Sequence, residues 1–200
     1  VAAYEYPTRR GAPACAPGTR ASRAGLTDGE RTPDGIAYNV RAPSNYDPAV
    51  AHPLLMFYAP AGGTADASER MTGLTKLATR AGFVVAYADS RRLSIPVLRQ
   101  LGRIPRLIAR TWCIDERRIF LTGHSDGGTA ALALAILDDT KTLPAGIAPS
   151  AAGFSGEDLA RYTCPAPLPV LVLHSARDRH FSGYGGQSAR GWAACNRCDA

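Results

Sequence analysis

Residues 119–128 read Ile119-Phe120-Leu121-Thr122-Gly123-His124-Ser125-Asp126-Gly127-Gly128, and an Ala- and Leu-rich stretch from Thr129 to Leu137 follows. A short apolar run, a G-x-S-x-G pentapeptide and a helix-forming segment predict a strand, a tight turn and a helix in immediate succession. Such a turn holds the Ser125 hydroxyl clear of the sheet edge. Gly123 and Gly127 let the two arms of the turn pass closely. The helix that follows directs its N-terminus at the same point, where developing negative charge is favoured. An ordinary Gly/Ser loop is the competing reading, and the flanking strand and helix weigh against it. Ser125 is therefore a candidate nucleophile at the top of a sheet covered by helices.

The rest of the chain agrees with that architecture. Ile36-Ala37-Tyr38-Asn39-Val40 alternates as a strand, and Leu54 to Tyr58 is a buried run that ends at Pro60 and Gly62-Gly63. Glu69 to Ala81 has helical spacing and stops at Gly82, a C-cap signal. Phe83 to Tyr87 is a further strand. Ile95 to Trp112 is helical in pattern, with Pro96 suited to a first turn and Pro105 expected to kink or split the helix. Gly146 to Ser150 and Val170 to His174 are the late strands. Near-continuous apolar strands alternating with helices predict an α/β fold, a mostly parallel sheet with helices on both faces. Residues 1–34, rich in Gly, Pro, Ala and Arg without period, read as an irregular lead-in, and 35–200 as the folded domain.

The net charge is +6, but the basic residues read as dispersed pairs (Arg9-Arg10, Arg91-Arg92, Arg117-Arg118) with no aromatic interleaving, so no nucleic-acid partner is expected. No apolar run has membrane-spanning length, so no membrane partner is expected either. The chain opens without Met and shows no signal peptide, which reads as a mature or excised segment. The five cysteines, Cys15, Cys113, Cys164, Cys195 and Cys198, lack zinc-finger spacing with histidine, so no metal is expected. Scattered cysteines favour disulfides and a secreted or periplasmic location. Their pairing is open, and the odd count leaves one thiol free, intermolecular, or paired with a residue outside these 200. Cys195-Asn196-Arg197-Cys198 follows a probable helix, Gln187 to Ala194, rather than opening one, which disfavours a redox motif.

A serine nucleophile needs a base to take its proton and an acid to orient that base. In α/β-hydrolases, whose nucleophile elbow this turn resembles, the acid follows the serine in the chain, in the loop after a late strand. Asp178, four residues beyond the run Val170-Leu171-Val172-Leu173-His174, occupies that place. An ordinary loop aspartate is the bland alternative.

Taken together, these segments resemble the secreted esterase family that includes poly(3-hydroxybutyrate) depolymerases and feruloyl or acetylxylan esterases. The matching pieces are Tyr38 to Pro43, Leu54 to Gly63, Ala81 to Tyr87, and Trp112 to Ile119 leading into the elbow. His174 to Asp178, Gly185-Gly186-Gln187 and Trp192 to Cys198 complete the likeness. The resemblance implies an α/β-hydrolase fold and cofactor-free ester hydrolysis through an acyl-enzyme on Ser125. Two departures stand out. Where the family shows His-Gly in the oxyanion loop, this chain has Ala59-Pro60, followed by Ala61-Gly62-Gly63. The hole needs backbone N–H groups, which Pro60 lacks, so it is assigned to Ala61 and Asp126. The family's catalytic histidine follows the Cys-containing helix, so the base is expected beyond Ala200, together with a last strand that would pair with Val170–Leu173. Of the four histidines here, His124 is locked in the elbow, His174 ends a strand without a proton-transfer role, and His52 sits at the opposite end of the sheet. His180, two residues after Asp178, is a loop histidine within conceivable reach of the site.

The leading expectation is a serine esterase acting on a hydroxyalkanoate polyester or oligomer, or on a feruloyl or acetyl ester. Arg91, Arg92 and Leu93 are candidates for its pocket wall, with a solvated loop as the alternative. The contrasting class is an inert α/β-hydrolase-like scaffold or binding protein without a base. A peptidase or acyltransferase on the same triad is the third. Oligomeric state is open.

Overall fold

The computed structural model describes residues 1–5, 15–16 and 23–198; the Arg9-Arg10 pair and much of the lead-in lie outside the described residues. Six strands form one sheet: β1 (Gly25–Arg31), β2 (Ala37–Ala42), β3 (His52–Tyr58), β4 (Val84–Ala88), β5 (Ile114–His124) and β6 (Gly146–Ser150). Their order is β1-β2-β4-β3-β5-β6. β1 and β2 pair antiparallel, as do β2 and β4, whereas β4, β3, β5 and β6 run parallel to one another. The strand β1 corrects the reading of the lead-in as irregular. Its exposure alternates around two glycines, and it is a strand because β2 offers it an edge, not because its own pattern demands one.

Helices α1 (Ala65–Thr72) and α2 (Leu74–Arg80) cover one face of the sheet, where Phe57, Ala65, Val85 and Tyr87 form a small core. The helix expected over Glu69–Ala81 is thus two helices. Gly73, at φ 61°, breaks it, and the N–H of Gly73 caps the Glu69 carbonyl. Helices α3 (Ile95–Thr111) and α4 (Asp126–Leu134) cover the other face. There they bury Leu101, Ile104, Ile108, Leu132 and Leu134 against Leu54, Met56 and Leu121. A short α5 (Gly156–Ala160) precedes α6 (Tyr184–Cys195), whose Trp192 joins that larger core.

Pro105 does not split α3. It removes the N–H that would reach the Leu101 carbonyl, and the buried Tyr58 hydroxyl donates to that carbonyl instead, across 3.4 Å. The exposed arginines of α3 (Arg99, Arg103, Arg106, Arg110) recur every three or four residues, so they line one side of the helix. The basic charge read as dispersed pairs along the sequence thus includes a stripe on α3.

The run Val170–Leu173 lies parallel to β6 at the sheet edge. It pairs through bridges at Ile147–Val170 and Ser150–Leu173, not as a continuous ladder. It is therefore less than the full strand that the apolar run predicts. Two disulfides answer the pairing question: Cys15–Cys113 and Cys164–Cys195, with Cys198 free and exposed. Cys195 is therefore satisfied within these residues. Among the described residues, no helix is long and apolar enough to cross a membrane.

Candidate active site

The elbow is built by close approach. Tyr58 and Gly123 are register partners on the parallel strands β3 and β5. The chain turns at Ser125 and α4 begins at Asp126. At Gly127 a Cβ would collide with the Tyr58 carbonyl, so only glycine lets α4 start this close to β3. The turn holds Ser125 at φ 55° and ψ −118°, a conformation that costs a non-glycine residue roughly 1–3 kcal/mol. The N–H of Ser125 donates to the Ser150 carbonyl at 2.9 Å, tying the elbow to β6. Beside it, His124 Nδ1 meets Ser150 Oγ at 3.1 Å, so His124 is fixed along the sheet.

A cavity of about 700 Å³ opens over Ser125, lined by Ser150, Ala151, His174, Asp178 and His180 among others. The structure thus brings Ser125 and Asp178, read separately from sequence, to one cavity. Asp178 is well held. Its Oδ1 accepts the N–H groups of Phe181 at 2.9 Å and His180 at 2.8 Å, and its Oδ2 lies 3.3 Å from His174 Nε2. The bond from the Phe181 N–H is the main cause that keeps this carboxyl below the ordinary aspartate range, against an opposing effect of desolvation. His174 is anchored in turn, with Nε2 3.0 Å from the Phe181 carbonyl, and α6 packs on it at Gly185.

Ala61 and Asp126 stand three residues beyond the paired Tyr58 and Gly123, at the same ends of neighbouring strands. The loop carrying Ala61 is closed by the Gly63 N–H on the Pro60 carbonyl at 2.7 Å. Asp89 braces the same loop, accepting the Ala65 N–H at 2.8 Å. Neither Ala61 nor Asp126 is among the residues that line the Ser125 cavity. Arg91 and Arg92 do not line it either; Arg91 turns away and donates to the Gly35 carbonyl at 2.9 Å. His52 is buried at the start of β3, with Nδ1 2.7 Å from the Gly82 carbonyl. Among the described residues, no three His, Cys, Asp or Glu side chains group as metal ligands.

Sequence reasoning missed Ser150, Ala151 and the His174–Asp178 contact. Ala151 carries φ 46°, a rare value for alanine, directly after β6. That conformation and the two contacts are set by tertiary neighbours, and no local motif announces them. The positive-φ site following a strand end beside the elbow is visible only in three dimensions.

No protein-family model and no curated protein matches the sequence. Solved structures do match the fold. A thermostable esterase superposes with a TM-score of 0.65 at 19% identity, over 84% of this chain and 50% of that one. Esterase 2 of the planctomycete Thermogutta terrifontis, in its native form, gives 0.63 at 15%, over 87% and 77%. The same esterase phosphorylated by paraoxon gives 0.65 at 15%, over 87% and 77%. The chain spans half the length of the first of these and about three quarters of the second. Strand order, the elbow and these superpositions together establish an α/β-hydrolase fold.

Proposed function

We propose that this protein is a serine carboxylic-ester hydrolase that works through an acyl-enzyme on Ser125. The observation that carries the reading is the strained backbone of Ser125 at the head of α4, across one cavity from Asp178. The Ser125 Oγ gives its proton to a histidine base and bonds to the ester carbonyl carbon. The tetrahedral oxyanion is held by the N–H groups of Asp126 and Ala61. The alcohol leaves with the base's proton, and water then releases the acid from Ser125 by the same steps. Asp178 orients and charge-balances the base. The reading places that base on a histidine following Ala200, as the family resemblance implies; of the three histidines that line the cavity, His124 is bonded to Ser150 and His174 contacts Asp178, so His180 is the alternative to test. The same resemblance supports a hydroxyalkanoate, feruloyl or acetyl ester as substrate. Two disulfides support an extracytoplasmic location. That the matched Thermogutta esterase is phosphorylated by paraoxon supports an organophosphorus probe for this serine.

The test is labelling by a fluorophosphonate, with Ser125→Ala and His180→Ala alongside. Labelling of the wild-type chain that vanishes in Ser125→Ala supports the reading. Survival of labelling in Ser125→Ala sinks it. Loss in His180→Ala moves the base to His180. A chain that never labels, even when extended past Ala200, leaves the inert scaffold as the better description.

A further inference from the structure

Between Arg99 and Arg110 the exposed residues of α3 are the four arginines, Arg99, Arg103, Arg106 and Arg110, and no others. With 3.6 residues per turn they fall within an arc of about 60°, at intervals of about 4.5–6 Å over roughly 16 Å of helix. We propose that this row is a docking strip for a linear acidic polysaccharide, whose uronate carboxylates it engages in succession, with a hollow beside the row as the seat for one of them. None of the four arginines lines the Ser125 cavity, so this binding is measured apart from hydrolysis.

The helix itself gives no reason for the row. α3 carries no Asp or Glu, so no arginine has an opposite charge one turn away. Arg99–Arg103, Arg103–Arg106 and Arg106–Arg110 are instead like-charge neighbours, which disfavour the helix. Only Arg110 lies in the last turn, where the helix dipole welcomes a cation. Arg99 meets Asp139 at 2.5 Å and Arg103 meets Asp34 at 3.4 Å, but both arginines are more than half exposed, so an incoming carboxylate can replace either partner. Among the described residues, neither Arg106 nor Arg110 pairs with a carboxylate.

The hollow, of about 160 Å³, lies between α3 and the loop after α4. Arg99, Arg103 and Arg106 wall it on one side, and Asp139, Thr140 and Leu143 on the other. Gly102 lets the loop come this close, since a Cβ there would stand 2.9 Å from the Thr140 methyl carbon. Thr140 Oγ1 is spent on the Leu134 carbonyl at 2.8 Å, which leaves the guanidiniums to recognise an occupant. Their planar forks match a carboxylate. The class of partner follows from what the strip lacks. α3 has no aromatic side chain on which a base could stack, and from Arg99 to Arg110 no exposed apolar side chain that would enter a lipid surface. A sugar-acid chain needs neither, and it presents one carboxylate per residue at about the spacing of the row.

Fluorescence anisotropy of a labelled oligogalacturonate, titrated with the protein across a salt series, tests the proposal. Duplex DNA, anionic phospholipid vesicles and neutral dextran serve as competitors. The wild-type chain should bind saturably, with log K falling linearly in log salt. Arg99→Gln/Arg103→Gln/Arg106→Gln/Arg110→Gln should weaken binding at least about tenfold and flatten that slope by roughly 2–3, the value for four contacts to a flexible polyanion. Arg70→Gln/Arg80→Gln/Arg161→Gln/Arg190→Gln removes the same charge from exposed positions off α3 and should change the affinity less than about twofold. Asp139→Asn, which frees Arg99 inside the hollow, should tighten binding by about threefold. If the fourfold α3 variant fails to fold, Arg106→Gln/Arg110→Gln, which breaks no ion pair, is read in its place and should lose at least about threefold. Equal losses in the α3 and control variants overturn the strip, because net charge alone would then explain the binding. No binding by the wild-type chain, or no tightening in Asp139→Asn, also overturns it. So does displacement of the oligogalacturonate by dextran, or tighter binding of the duplex or the vesicles at the same salt.

Discussion

Ser125 holds its φ of 55° because Gly123, Gly127 and the bond to the Ser150 carbonyl leave the turn no other path. A side chain at that position is therefore retained against a stability cost. Glycine at 125 should relieve it and alanine should not. Ser125→Gly is expected to raise Tm above Ser125→Ala by roughly 3–6 °C, while both lose turnover by on the order of 10⁴-fold or more. Differential scanning calorimetry of the two variants decides; equal Tm values would mean that the elbow stores no strain. This residue was legible in sequence because the G-x-S-x-G spacing carries its own geometric reason. Asp178 was legible for a similar reason, its distance from a late apolar run. Ser150 was not, since its contacts with Ser125 and His124 join chain positions some 25 residues apart, and nothing in Gly146–Ser150 but a strand pattern is visible locally.

Among the elements, α3 and the start of β3 show how long-range bonds repair local defects. Pro105 orphans the Leu101 carbonyl inside the core, and the Tyr58 hydroxyl answers it. Burial of that hydroxyl pushes its pKa far up, so it stays a donor throughout the working range. Tyr58→Phe is expected to cost about 1 kcal/mol, and less in a Pro105→Ala background, where the helix supplies its own N–H. Urea melts of the four proteins measure this coupling, and strict additivity would dissociate Tyr58 from the helix. At the head of β3, burial lowers the pKa of His52, although the Gly82 carbonyl works in the opposite direction. The unfolded chain then takes up that proton first, so stability is present above the ordinary histidine value and is lost as pH falls below it. His52→Asn, which keeps a donor for the Gly82 carbonyl, should flatten the fall in urea midpoint between pH 7 and pH 5; an identical slope in both proteins would assign it to other groups. Sequence periodicity located β3, β4, α3 and β6 well because their apolar faces are internal to each segment. It ran α1 and α2 together because the helical spacing continues past Gly73, and only the backbone turn there reveals the break.

For the whole molecule, the disulfides divide the labour of holding the chain. Cys15–Cys113 closes a sequence separation of 98 and pins the N-terminal segment to the fully buried head of β5. Cys164–Cys195 closes only 31, but it ties the exposed stretch before the sheet edge to the end of α6. By loop entropy the first should stabilise by about 4–5 kcal/mol and the second by about 3–4 kcal/mol. Their effects on the site should rank the other way. Helix α6 packs on His174 through Gly185, accepts the Gly156 N–H through Gln187, and is preceded by the loop that holds Asp178. Removing the second bridge frees α6 to fray from that end, whereas the first lies at the base of β5, far along the strand from Ser125. The paired variants Cys15→Ala/Cys113→Ala and Cys164→Ala/Cys195→Ala should therefore separate. The first should lose more Tm, and the second should show the faster hydrogen exchange in residues 184–195 together with weaker fluorophosphonate labelling. Thiol titration fixes the starting point: one reactive thiol, Cys198, in the native chain and five after denaturation and reduction. Equal exchange in α6 for both variants would show that the site is carried by the sheet alone and that the second bridge serves only global stability.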